Sequence, residues 1–173
     1  VETKKEGIAI VIAIDISSSM LAEDFAPSNR LEVAKRQAVG FIRGREADRI
    51  GLVAFAGEAL TQVPVTLDYA VVEQAVMDLR IGSLEDGTAI GSGLAIAVNR
   101  LRHTPNRSKV VLLLTDGDNN KGLIDPRTAA ATASAYGVKV YTIGVGTIGE
   151  APIPTGRGAG GFRYEMLPVR IDE

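Results

Sequence analysis

The feature that most constrains the fold is a short apolar run that ends abruptly in oxygen-bearing side chains. It occupies residues 8–20, IAIVIAIDISSSM, in which seven apolar residues precede Asp15. β-Branched apolar runs of this length are typical of strands buried on both faces at the centre of a parallel sheet. Asp15, Ser17 and Ser19 alternate, so in an extended segment we expect them to share one side. They would lie at the carboxyl end of the strand, where open α/β sheets bind ligands.

Composition limits the kind of protein to which this strand can belong. The chain has 173 residues and 46% hydrophobic content, which suits one well-buried core and not two, so we interpret residues 1–173 as a single domain. The net charge of −2 provides no overall field to recruit nucleic acid or an anionic membrane, and no basic patch interleaved with aromatic residues is visible. The absence of cysteine excludes disulfides and thiolate metal sites.

Neither a membrane helix nor a signal peptide is visible in the chain. The longest apolar runs reach about seven residues, against the roughly 20 that a membrane helix needs. We therefore expect the chain as given to be soluble. It begins at Val1 without a methionine and ends at Glu173 after a strand-like segment, which favours a piece of a longer protein.

A helix is predicted after the first strand. Its apolar residues recur at helical spacing from Leu31 to Ile42. Ser28 or Asn29 is suited to cap its start, and Gly44 is suited to end it. A single apolar stripe indicates a helix that lies on a sheet.

The next two strands form one end of the expected sheet. Residues 49–55, RIGLVAF, are separated from the first strand by a helix, so the two strands should be parallel. Residues 56–58 are too few for a crossover, so residues 59–66 must return as an antiparallel partner. Pro64 cannot donate to a ladder, which places this partner at an edge.

The second half of the chain continues the alternation. Asp68 is suited to cap a helix with its apolar stripe at residues 72–79, and residues 90–101 have the spacing of a further helix. Residues 109–115, KVVLLLT, form a second wholly apolar strand that again ends in oxygen, at Asp116.

The remaining segments are less regular. Residues 125–126, Asp-Pro, are typical of a helix start and Gly137 of its end, and residues 138–145 read as a strand. The glycine-rich residues 146–161 predict an irregular loop or hairpin, and residues 162–167 a short strand.

Connectivity decides which strands are neighbours. The first crossover places residues 49–55 and 59–66 on one side of the first strand. Because residues 59–66 form an edge strand, no further strand can be added on that side, so residues 109–115 must pair on the other side. We therefore predict a doubly wound α/β fold, with a mostly parallel central sheet, one antiparallel edge strand and helices on both faces. The two central strands flank the switch point, where the crevice above their ends opens. The side chains expected at its mouth are Asp15, Ser17, Ser19, Thr88 and Asp116.

A set of oxygen donors without histidine or cysteine selects a hard cation. Mg²⁺, Mn²⁺ and Ca²⁺ suit such a site, whereas zinc and copper do not. The alternative for either strand alone is that Asp15 and Asp116 are helix caps and that Ser17 and Ser19 shape a turn. Because both strands end in this way at one predicted switch point, the metal site is favoured.

Other polar residues are interpreted more plainly. Asp118 and Asn119 closely follow the strand at residues 109–115 and are assigned to a partner-binding rim, although a DGDNN loop is most often a turn. His103, the only histidine, is interpreted as a cation at a helix end and not as a catalytic group. Asp24 is interpreted as solvated, and the glycines of TGRGAGG as a flexible loop.

Three motifs together resemble the metal-ion-dependent adhesion site, or MIDAS, of von Willebrand factor type A (VWA) domains. They are DISSS at residues 15–19, DGT at residues 86–88 and TDG at residues 115–117, in the right order over nearly the whole chain. Ser18 stands where glycine is common, which changes no ligand. Longer stretches resemble the BatA-like branch of the bacterial aerotolerance (Bat) proteins: SSSMLAEDF, RIGLVAFAGEALTQVPVTLDY, GTAIGSGLAIAVNRL and VYTIGVG.

The resemblance implies a Rossmann-like VWA fold that binds a partner protein through a divalent cation, with Mg²⁺ as the first choice. If Ser17, Ser19 and Thr88 bind the metal directly, and Asp15 and Asp116 act mainly through bound waters, the first shell is neutral. The metal then keeps most of its charge for an aspartate or glutamate of the partner.

The resemblance also implies a cellular context. Bat-type proteins carry membrane helices beside such a domain and are associated with MoxR-type AAA+ ATPases, so we expect a domain of a membrane-anchored protein at the bacterial cell membrane. The partner would be such an ATPase or another Bat protein, and the side of the membrane, cytoplasmic or periplasmic, stays open. A terminal VWA helix would follow Glu173.

Three function classes stay open on the sequence. The first is a metal-dependent protein-binding module, which site chemistry and resemblance both favour. The second is a metal-assisted hydrolase or phosphatase, which needs a nucleophilic carboxylate or a tuned general base. The third is a purely structural domain. Because hydroxyls dominate the site and its motifs contain no lysine, we assign no catalytic residue and expect no enzyme.

Overall fold

The structure is a computed structural model and describes residues 7–23, 27–116 and 126–145. Its strands are β1 (Ala9–Asp15), β2 (Arg49–Phe55), β3 (Ala59–Thr66), β4 (Lys109–Thr115) and β5 (Val138–Gly144). Its helices are α1 (Arg30–Arg43), α2 (Tyr69–Met77), α3 (Ile90–Arg102) and α4 (Pro126–Ala135), with a 3₁₀ turn at Ser18–Leu21. The expected segments 146–161 and 162–167 lie outside the described residues.

The strand order confirms the doubly wound α/β sheet. The five strands lie in the order β3-β2-β1-β4-β5, and only the β2–β3 pair is antiparallel. β1 therefore lies between β2 and β4, as the switch-point argument requires. Pro64 lies on β3, the outermost strand at that end of the described sheet, as its missing N–H predicts.

β1 is apolar on both faces because helices cover both. Every residue of the strand is buried. Its Ile10, Ile12 and Ile14 belong to a core shared with α1 and α2, whereas its alternate alanines and Val11 belong to a core shared with α3 and α4. A strand placed in this way needs no polar alternation, which explains the continuous apolar run.

Local signals set the helix ends as predicted. The side chain of Asn29 accepts a hydrogen bond from the backbone N–H of Glu32 at 2.8 Å, and Asp68 accepts one from Val71 at 3.4 Å. Asn29 is thus the cap that the sequence left open against Ser28. Gly137 follows α4 with a φ of +72°, a conformation that suits glycine at a helix end.

Helix α3 lies close to the sheet because small residues face it. A Cβ placed on Gly93 would lie 2.7 Å from Cδ2 of Phe55, at the carboxyl end of β2. This close approach brings the start of α3, and the loop before it, to the carboxyl edge of the sheet.

Replacing Gly93 with alanine should destabilise the fold. The added methyl group cannot avoid the Phe55 ring, so we expect a loss of roughly 1–3 kcal/mol in the free energy of unfolding, measured by urea denaturation. Gly40→Ala is the matched control, because that exposed helical glycine has open space at its Cβ and should gain about 0.5–1 kcal/mol. An equal gain for both variants would contradict this close packing.

Candidate metal centre

The Asp15 carboxylate is buried where β1 ends. Its Oδ1 accepts a hydrogen bond from the backbone N–H of Ser17 at 2.9 Å. Its Oδ2 accepts one from the hydroxyl of Thr115, the last residue of β4, at 2.7 Å. The carboxylate is therefore held by its own turn and by the neighbouring central strand, and its orientation is set before any ligand binds.

Burial changes the acidity of this group. The pKa of Asp15 is raised from 3.8 to about 6, chiefly by loss of solvation and in addition by the negative charge of Asp116, while hydrogen bonds from Ser17 and Thr115 act in the opposite direction. The side chain thus prefers a proton more than an ordinary aspartate does. A cation beside it would favour the ionised form.

The turn after β1 is not extended, which corrects one expectation. Ser18–Leu21 form a 3₁₀ turn, so the alternation of an extended segment does not continue to Ser19. The two hydroxyls nevertheless meet, because the Oγ atoms of Ser17 and Ser19 lie 3.0 Å apart. The fully buried Met20 anchors the turn, and its N–H donates to the carbonyl of Ser17 at 2.9 Å.

Asp116 joins this group from the end of β4. Its Oδ2 accepts a hydrogen bond from the Ser19 hydroxyl. The same oxygen accepts a hydrogen bond from a guanidinium N–H of Arg30, the first residue of α1, at 3.2 Å. Only 5% of the Asp116 side chain is exposed, against 22% for Arg30. The carboxylate therefore lies between a hydroxyl and a cation.

The loop that carries Thr88 is fastened to the same turn. Asp86 accepts two hydrogen bonds from Ser18, one from the backbone N–H at 3.0 Å and one from the hydroxyl at 2.9 Å. Thr88 follows two residues later and is 4% exposed. Two residues of extended chain reach at most about 7 Å, so Thr88 stays near this turn.

The turn after β2 also holds the loop in place. The N–H of Gly57 donates to the carbonyl of Glu85 at 2.7 Å, and the N–H of Ala89 donates to the carbonyl of Ala56 at 2.6 Å. A Cβ on Gly57 would lie 2.4 Å from the carbonyl oxygen of Asp86, so only glycine permits this approach. The loop position therefore depends on backbone fit.

Four of the five predicted site residues are thus linked by a continuous chain of hydrogen bonds, and the fifth lies in an adjoining loop. The linked residues are Asp15, Ser17, Ser19 and Asp116, and the loop residue is Thr88. Asp118 and Asn119, assigned to the rim, lie outside the described residues, as does Asp24. His103 caps the end of α3, as expected of a helix-end residue.

Three residues that contribute to the geometry of the site were not assigned from the sequence. In the sequence Asp86 stands out only as part of the DGT motif, and its hydrogen bonds to Ser18 join segments 68 residues apart. The sequence does not single out Arg30 as a site residue, because a basic residue at a helix start looks like any exposed cation. Gly57 could have been suspected from its place in a short turn, but not its contact with the loop.

The donor set is rich in hydroxyl oxygen and poor in charge. Within the described residues no group of three or more histidine, cysteine, aspartate or glutamate side chains is arranged to hold a metal. Two carboxylates and the hydroxyls beside them fit a hard divalent cation that prefers oxygen. With so few charges around it, such a cation would keep much of its own.

Comparison with known proteins agrees with this geometry. Residues 9–155 match the sequence model of the von Willebrand factor type A domain. A Borreliella burgdorferi protein of uncharacterised function is 41% identical over 144 residues, covering 83% of this chain and 42% of the relative. The chain thus spans less than half of that relative.

Two solved structures are similar in fold and sequence. An aerotolerance-related membrane protein from Bacteroides fragilis has a TM-score of 0.75 at 37% identity, over 92% of this chain and 78% of that one. Proximal thread matrix protein 1 of the mussel byssus, with zinc in its MIDAS motif, has a TM-score of 0.68 at 31% identity, over 82% of this chain and 36% of that one.

Among the described residues, no helix is long and apolar enough to span a bilayer.

Asp15 should make the metal-free protein less stable as the pH rises. Its folded pKa of about 6 lies above the unfolded value of 3.8, so its contribution to stability is full below pH 4 and lost as the pH rises through 6. Compared with Asp15→Asn, the wild type should lose about 3 kcal/mol of unfolding free energy between pH 4 and pH 7. Urea denaturation with chelator measures this, and a pH-independent difference would contradict it.

Arg30 should compete with a cation for Asp116. Replacing it with glutamine removes the positive charge 3.2 Å from that carboxylate, so we expect Mg²⁺ to bind on the order of tenfold more tightly. Stability in chelator should fall, because Asp116 loses its counter-ion. Isothermal calorimetry measures the affinity.

Arg36→Gln is the control for this substitution. Arg36 lies on the same helix, is exposed and donates a hydrogen bond to the Ser28 hydroxyl, so its loss should leave Mg²⁺ affinity unchanged. Weaker or unaltered binding in Arg30→Gln would mean that Arg30 does not oppose the cation.

Proposed function

The chain belongs to the von Willebrand factor type A family, and on that premise we propose that it is a non-catalytic, divalent-cation-dependent protein-binding module. The cation is held by Ser17, Ser19, Thr88, Asp15 and Asp116, and an aspartate or glutamate of the partner completes its coordination. The observation that carries the proposal is the hydrogen-bonded chain from Asp15 through the two serines to Asp116.

The donor chemistry supports this role over hydrolysis. Hydroxyl ligands withdraw little positive charge from a cation, so an anionic ligand from outside gains more than it would at a carboxylate-rich site. Mg²⁺ requires six oxygens, and positions that the protein does not fill hold exchangeable water. A partner carboxylate can replace such a water with a charged ligand.

The identity of the cation follows from the same chemistry. Oxygen donors favour Mg²⁺, Mn²⁺ or Ca²⁺. A related fold holds zinc in its MIDAS motif, so Zn²⁺ belongs in any comparison of cations.

The wider setting is part of the proposal. The similar Bacteroides fragilis structure is of an aerotolerance-related membrane protein. We take residues 1–173 as one VWA domain of a membrane-anchored bacterial protein, whose partner is another Bat protein or a MoxR-type AAA+ ATPase.

Cation binding should stabilise the folded chain. At a Mg²⁺ or Mn²⁺ concentration about 100 times the dissociation constant, unfolding should cost about 2.7 kcal/mol more than in chelator. Thermal denaturation measures the shift, and Ser19→Ala or Thr88→Ala should abolish it. Ser134→Ala, which removes an exposed hydroxyl from α4, is the matched control and should keep the full shift.

Partner capture extends this test to function. From detergent-solubilised native membranes, the wild type and Ser134→Ala should retain the same protein with Mg²⁺ and release it with chelator, whereas Ser19→Ala should retain none. Capture that persists both in chelator and with the Ser19→Ala variant would contradict the proposal. Metal-dependent turnover of a phosphate ester that is lost in Asp15→Asn would replace the binding module with an enzyme.

A further inference from the structure

The end of the sheet opposite the metal centre carries a concentration of positive charge. Between Ala89 and Thr115 the chain has four arginine or lysine residues and no aspartate or glutamate, and residues 126–145 also lack acidic side chains. Most of these cations lie at the end of α3 and the starts of β4 and β5. We call this surface the basic corner: Arg100, Arg102, His103, Arg107, Lys109 and Lys139.

The fold brings these residues together from three elements. Lys109 and Val138 are register partners, as are Val110 and Lys139, so the two lysines lie in adjacent rows. The ammonium of Lys109 approaches the carbonyl of Arg102 at 3.5 Å. Arg107, Lys109 and Lys139 also line one cavity of about 110 Å³.

An exposed aromatic residue borders the basic corner. The guanidinium of Arg102 lies 4.6 Å from the centre of the Tyr136 ring, and 42% of Tyr136 is exposed. Tyrosine beside basic residues is typical of surfaces that meet the headgroup region of a bilayer. The net charge of −2 is a sum over the whole chain and does not show this local arrangement.

We infer that the basic corner docks on the headgroups of anionic phospholipids. The cavity between Arg107, Lys109 and Lys139 receives a headgroup phosphate, and Tyr136 lies at the interface beside it. The cations lie at one end of the domain, where strands begin and helices end, so a flat anionic surface can contact them together. The similar membrane protein from Bacteroides fragilis makes a bilayer a relevant surface.

This docking orients the metal centre. The metal residues lie at the carboxyl ends of the strands and the basic corner lies at their amino ends. A seven-residue strand spans about 23 Å, more than twice the Debye length of about 8 Å at physiological salt. Docking therefore turns the cation away from the lipid, and the two sites act independently in electrostatic terms.

Vesicle sedimentation tests the inference on the 173-residue chain. Vesicles of phosphatidylcholine alone are compared with vesicles in which about one-third of the lipid is phosphatidylglycerol. The wild type should bind the second kind only, and high salt should release it. Arg102→Glu with Arg107→Glu should lower the partition coefficient at least about 25-fold, since each basic residue near an anionic surface adds about fivefold.

The matched control reverses two charges elsewhere. Arg36→Glu with Arg127→Glu makes the same net change on exposed positions of α1 and of the start of α4, away from the basic corner. It should retain much more vesicle binding than the double variant in the basic corner. Arg102→Gln with Arg107→Gln gives a milder version that should still lower binding, and circular dichroism checks that every variant is folded.

The remaining outcomes separate this inference from its rivals. Equal losses in both double variants would reduce the effect to net charge and overturn it, as would equal binding to both kinds of vesicle. Tighter binding to a DNA duplex, lost in the basic-corner variant, would assign the surface to nucleic acid. Inorganic phosphate that displaces the protein at low millimolar concentration would assign the cavity to a free anion. Mg²⁺ affinity should not change in the basic-corner variant, so failure of the metal proposal leaves this inference intact.

Discussion

The buried carboxylate of Asp15 lies where two parallel strands end, and the geometry of the whole carboxyl edge follows from how it is held. Burial of a charged group is costly, and hydrogen bonds from the Ser17 backbone and the Thr115 hydroxyl offset part of that cost. Because one bond comes from the following turn and the other from the neighbouring strand, the carboxylate couples both. Any displacement of β1 relative to β4 would break one of them.

Backbone fit brings the third segment to this edge. Gly93 allows α3 to approach Phe55, and Gly57 allows the loop before α3 to approach the turn after β2. Asp86 then fastens that loop to Ser18. The position of the Thr88 hydroxyl therefore depends on the absence of two methyl groups as much as on polar attraction, which makes the site sensitive to packing changes remote from any ligand.

The fold was readable from the sequence because its main signals are local, whereas much of the site was not. Wholly apolar runs predict strands covered on both faces, and Pro64 alone identified an edge. The 3₁₀ turn at residues 18–21 escaped prediction, since serines suit several turn conformations. The ion pair of Arg30 with Asp116 joins residues 86 positions apart, and no spacing rule reports such a contact. The basic corner could not be predicted from the net charge either, because the net charge sums the side chains at both ends of the sheet.

Crystals of the chain soaked in Mn²⁺, with anomalous diffraction measured near the manganese edge, test the central claim most directly. The account predicts one strong anomalous peak among the hydroxyls of Ser17, Ser19 and Thr88, beside Asp15 and Asp116, with at least one coordination position filled by solvent. A peak elsewhere, no peak, or a cation enclosed entirely by oxygens of this chain would contradict a site open to a partner carboxylate.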